Sequence, residues 1–128
     1  MKTTPLYLDS ARSPHERAAA LLAEMSAEEK LAQLGCIFPL GEDYTDLDKY
    51  AATMPLGTGE VSTLEMRRIA TLDEAATWQR GMQQRVMANS PHHIPAIFHM
   101  EGLCGAFIQQ ATSFPCLLYT SDAADDSL

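Results

Sequence analysis

The residues of this chain with the most chemical potential lie close together, in His92-His93-Ile94-Pro95-Ala96-Ile97-Phe98-His99-Met100-Glu101-Gly102-Leu103-Cys104-Gly105. An apolar, β-prone run leads straight into polar residues and glycines, and in parallel α/β folds ligands bind where strands end. Glu101 is the candidate ligand-binding residue. A carboxylate directly after a strand can accept hydrogen bonds from a polar ligand, and it can equally cap a helix or sit in solvent. His93, His99 and Cys104 carry metal-ligating atoms, but their spacing follows no zinc pattern, so no metal or other cofactor is assigned. Cys104 has no activating base nearby in sequence, so no catalytic nucleophile is assigned either.

The elements that position this segment have written starts. Ser13-Pro14-His15-Glu16 combines an N-cap serine, a proline at the first helical position and the glutamate of a capping box. Ala18, Leu21, Leu22 and Met25 then follow on one helical stripe. Ser26-Ala27-Glu28-Glu29 opens a second, short helix with Ala27, Leu31 and Leu34 as its expected buried side and Gly35 as its stop. Thr71-Leu72-Asp73-Glu74 opens the longest helix, expected to reach Ala88 or Asn89, with Ala75, Trp78, Met82 and Val86 facing the core. A weaker helix spans Thr45 to Met54, ahead of Pro55. Between the helices lie Cys36-Ile37-Phe38, Gly59-Glu60-Val61-Ser62 and the run from Ile94 to His99. Such alternation predicts an α/β fold, helices predominating, with two or three short parallel strands.

The 128 residues are 46% hydrophobic and 20% charged, the composition of a globular domain. A formal charge of −8, with nine scattered cations, disfavours nucleic acid as a partner. No run approaches the about 18 apolar residues of a membrane span, and Met1-Lys2-Thr3-Thr4-Pro5 lacks the apolar core of a secretory leader. The expected compartment is the cytoplasm, with no membrane partner. Three cysteines, Cys36, Cys104 and Cys116, show no disulfide framework, and reduced thiols fit that compartment.

Taken in order, several segments resemble the N-terminal part of glycoside hydrolase family 3. They are Tyr7-Leu8-Asp9, the stretch from Leu22 to Leu34 across the first two helices, Gly57 to Ser62, Asn89 to Gly102, and Thr112-Ser113-Phe114-Pro115. The resemblance implies an incomplete N-terminal part of a (β/α)8 barrel over residues 1–115. It also implies a parent enzyme of the β-glucosidase or β-xylosidase kind, a retaining exo-β-glycosidase acting on terminal β-linked glucose or xylose. By the same resemblance Glu101, an aspartate in many members, binds hydroxyls of the terminal sugar. Many members carry histidine-glycine where this chain has Cys104-Gly105. The family's nucleophile and acid/base both belong to later parts of its sequence, so the chain as given is expected to be inactive. The length agrees, because a (β/α)8 barrel takes about 250 residues.

Residues 116–128 read differently. Cys116 to Asp125 matches, over ten consecutive residues, one translated frame of a transposase-type sequencing adapter. This tail is expected to be non-native. Without its three aspartates the formal charge moves from −8 to −5. The alternative function is a non-catalytic, helix-rich interaction module that uses the exposed faces of its amphipathic helices.

Overall fold

A computed structural model describes residues 4–102 and 104–114. The tail expected to be non-native lies outside the described residues. Four helices and three strands follow in the order α1 (Pro14–Glu24), α2 (Ala27–Ala32), β1 (Cys36–Ile37), α3 (Leu47–Thr53), β2 (Glu60–Ser62), α4 (Leu72–Asn89) and β3 (Ile97–His99). Short 3-10 turns precede α1, α3 and α4.

All three expected capping boxes form. The side chains of Ser13, Ser26 and Thr71 accept from the backbone N–H of Glu16, Glu29 and Glu74, whose carboxylates accept from the cap N–H in return. Each box satisfies two of the donors that a helix start leaves open. Asp46 caps α3 by accepting from the N–H of Lys49.

The strands form one parallel sheet in the order β1-β2-β3. Cys36 lies opposite Glu60 and Ile37 opposite Val61. Glu60, Val61 and Ser62 lie opposite Ile97, Phe98 and His99. Parallel neighbours need a crossover, and here α3 and α4 supply it. Because side chains alternate across a strand, this register sorts the sheet into two faces. Ile37, Val61 and Phe98 face the helices, where Val61 is fully buried with Met82 and Val86, beside Met54, Trp78 and Ala75. Burying side chains of this size contributes about 1.5–3 kcal/mol each. Trp78 also donates its indole N–H to the Tyr44 carbonyl at 2.8 Å, and Asn89 donates to the Ala51 and Met54 carbonyls, which ties α4 to α3.

Two glycines make these close approaches possible. A Cβ on Gly59 would lie 1.9 Å from the Gln33 carbonyl oxygen, so only glycine lets β2 pass the end of α2. Gly57 has φ +78 and packs its backbone against Ser90 and Val86 of the α4 terminus.

Four expectations need correction. The expected inner side of α2 is uncovered: Ala27 is exposed, Leu31 is 69% exposed and Leu34 is 85% exposed. On α1 the stripe is half open, with Leu22 exposed and Met25, its C-cap, buried. Periodicity locates an apolar stripe, but among the described residues nothing covers Leu22, Leu31 or Leu34. The second helix also ends at Ala32, three residues before Gly35. Finally, Cys104 is disulfide-bonded and not a reduced thiol. The backbone doubles back here, with the Phe114 N–H donating to the Cys104 carbonyl at 2.8 Å, a return that cysteine spacing does not encode.

Candidate functional site

The C-terminal ends of β2 and β3 are fastened to each other. Thr63, buried, donates both its backbone N–H and its hydroxyl to the His99 carbonyl, at 2.8 and 2.9 Å. Met100 then packs against the core, and the chain emerges at Glu101 and Gly102, both exposed. Glu101 thus stands two residues beyond β3, at the sheet edge where the sequence placed it. Among the described residues no hydrogen bond or ion pair engages its carboxylate, which leaves both oxygens open to solvent.

A second carboxylate at these strand ends was not singled out from the sequence. Glu65, three residues after β2, is buried and paired with Arg67 at 3.2 Å and with Arg68. A carboxylate taken out of water requires such countercharges. The signal was present as a glutamate followed closely by the chain's one adjacent pair of arginines. With its charge taken up by these neighbours, Glu65 anchors the turn after β2 and is not presented to a ligand.

The histidines separate. His93 adopts φ 53 and donates its Nδ1–H to the Met87 carbonyl at 2.9 Å, closing the end of α4. His92 lies 3.4 Å from the Tyr7 hydroxyl, with the two rings edge to face, and its other nitrogen is 3.8 Å from Glu29. This latch joins segments 85 residues apart. Arg17 reinforces it by donating to the Tyr7 carbonyl at 2.8 Å. His93, His99 and Cys104 therefore do not converge as a ligand set.

His99 keeps different company. With Ile37, Val61 and Phe98 turned toward the helices, Cys36, Glu60, Ile97 and His99 occupy the opposite, open face of the sheet. There His99 Nε2 lies 3.3 Å from Cys36 Sγ and 3.8 Å from Glu60 Oε2. The Phe38 ring meets the imidazole edge to face. Burial and the nearby Glu60 carboxylate push the Cys36 thiol above its ordinary pKa. In a closed barrel this open face is the interior, and Glu101 stands at its C-terminal rim.

No family model and no curated protein matches the chain. Among solved structures it is similar to a β-glucosidase, EmGH1, from Erythrobacter marinus, with a TM-score of 0.70 and 32% sequence identity. The match covers 89% of this chain and 15% of that one. The fold is a partial (β/α) barrel, helix-rich with three parallel strands. The likeness is to a glycoside hydrolase; the family 3 part of the resemblance does not follow from it. No described helix is long and apolar enough to cross a membrane.

Proposed function

We propose that the chain is the first part of a retaining exo-β-glycosidase of family 3 type, and that Glu101 binds hydroxyls of the terminal glucose or xylose. The observation that carries this reading is the place of Glu101: a carboxylate without a partner among the described residues, at the C-terminal end of a parallel strand, in a partial barrel similar to a β-glucosidase. The ordered run of motifs from Tyr7 to Pro115 supports the family. The match fills 15% of the neighbour, which puts that chain at about 760 residues, so this chain compares with one part of a much longer glycosidase.

In the complete enzyme two carboxyl groups about 5 Å apart do the chemistry, one attacking the anomeric carbon and the other serving as acid and then base. Glu101 takes neither role. Its two oxygens form a planar pair of acceptors suited to two vicinal hydroxyls, so the ring is held where the nucleophile can reach it. The chain as given hydrolyses no glycoside, since one positioning carboxylate does not replace a nucleophile and an acid. The partner is a carbohydrate, no cofactor takes part, and the compartment is the cytoplasm.

The test is Glu101→Ala in the enzyme extended along its native frame, assayed on an aryl β-glucoside. Hydrogen bonds to a charged group contribute roughly 1.5–3 kcal/mol each, so losing two should lower kcat/KM by about a hundredfold or more. Glu101→Gln, which keeps one acceptor oxygen, should fall between. The unfolding midpoint should hardly move. Catalysis kept within about twofold, or a loss matched by collapse of the midpoint, makes Glu101 a structural residue.

A further inference from the structure

We infer that Cys36, Glu60 and His99 form a binding site for a divalent transition-metal ion of the zinc type, on the open face of the sheet. Each residue offers one ligand atom, and the three atoms lie within 4.8 Å of one another. The parallel register sets this up: Cys36 and Glu60 are directly opposite each other, and His99 is two residues along from the partner of Glu60 on β3.

A hydrogen-bonded Cys-His-Glu relay would use the same residue types, and the geometry separates the two. In a relay the carboxylate orients the imidazole through the nitrogen that does not face the nucleophile. Here Nε2 of His99 faces both Cys36 Sγ, at 3.3 Å, and Glu60 Oε2, at 3.8 Å. Three donor atoms gathered this closely, with one imidazole nitrogen facing both others, match a ligand set better than a relay. Tetrahedral zinc with ordinary bond lengths separates a sulfur from a nitrogen by about 3.6 Å and a nitrogen from an oxygen by about 3.3 Å. The sulfur–nitrogen and nitrogen–oxygen spacings differ from these by about 0.3 and 0.5 Å, and the sulfur and carboxylate lie within 4.8 Å of each other, so side-chain rotations would have to draw the three donors together around the ion. Sulfur, imidazole and carboxylate together suit zinc or cobalt over magnesium or calcium, which take oxygen ligands. Three protein ligands leave one position for water.

The surroundings fit a cation. Cys36, once its thiol loses its proton, and Glu60 bring two negative charges to the neutral imidazole of His99, the anionic and nitrogen donors such a cation takes. The inference is independent of the glycosidase proposal, because Glu101 and the sugar take no part in it.

The test titrates Co²⁺ into the purified 128-residue chain and follows the thiolate-to-cobalt charge-transfer band and the visible ligand-field bands. Saturation at one equivalent, with tetrahedral visible bands and competition by Zn²⁺, is the expected result. Cys36→Ser should remove the charge-transfer band. Glu60→Gln and His99→Ala should each weaken binding by more than the roughly 10–100-fold that loss of an outer-shell partner costs. Zn²⁺ should also raise the unfolding midpoint of the unaltered chain and leave that of Cys36→Ser in place. Absence of cobalt binding in the unaltered chain overturns the site. So does a charge-transfer band that survives in Cys36→Ser, since another thiolate would then be the ligand.

Discussion

At the scale of single residues the chain contrasts side chains held by neighbours with one that is not. Glu65 is buried between arginines, and His92 and His93 are fixed by Tyr7, Glu29 and the Met87 carbonyl, so their positions follow from folding. Glu101 has no such partner among the described residues, and a ligand role for it predicts little change in stability on substitution. Gly59 is the opposite case. Gly59→Ala drives a methyl into the Gln33 carbonyl, a backbone group that cannot rotate away. A loss of about 1–3 kcal/mol or more is expected in denaturant unfolding, as for other overpacked sites. A titration can also be read at this scale. Arg85 donates to Asp48 at 2.7 Å and, through that hydrogen bond first, holds its carboxyl below the ordinary carboxylate range. A depressed folded-state pKa contributes stability above the unfolded value and loses it as pH falls through the folded one. Asp48→Asn should therefore flatten the acid side of the stability profile slightly, since the pair is exposed.

At the scale of elements, the long helix α4 organises the described core. Met82 is fully buried, and Met82→Ala should cost about 2–5 kcal/mol in unfolding free energy. Thr71→Ala removes a complete capping box and should cost about 0.5–2 kcal/mol. What could be read from the sequence follows the same division. Capping boxes are local chemistry, and all three helices they announce start at the expected residue. The stripe Ala75, Trp78, Met82 and Val86 is likewise buried as its spacing implies. The strands were legible as short β-prone runs, and Glu101 as a polar residue at a strand end. Three things depended on contacts distant in sequence and were not legible. The exposure of Leu31 and Leu34 depends on what packs over α2, not on their spacing. The return of the chain that brings the Phe114 N–H to the Cys104 carbonyl depends on the fold between them. The approach of Cys36 to His99, 63 residues apart, depends on sheet register.

At the scale of the whole molecule, the open sheet face, the outer edges of β1 and β3, unpaired among the described residues, and the bare leucines Leu22, Leu31 and Leu34 are surfaces that the proposed larger barrel would cover. The same bare leucines are what an interaction module would present, and only activity separates the two. Left uncovered, such surfaces favour association. Residues 1–115 should self-associate in analytical ultracentrifugation, and Leu31→Glu with Leu34→Glu should reduce it. A monomer that unfolds cooperatively at ordinary temperature would contradict this expectation. Under reducing conditions, which open the Cys104 disulfide in both forms, removing residues 116–128 should change stability little, and a loss of several kcal/mol would show the tail to be part of the fold. The most direct measurement compares hydrolysis of one aryl β-glucoside by the 128-residue chain and by the chain extended along its native frame from Pro115. A blank from the first and turnover by the second is the predicted result. Turnover that tracks the purified 128-residue chain, or a blank from a folded, extended chain, would contradict the reading of this chain as the first part of a glycosidase barrel.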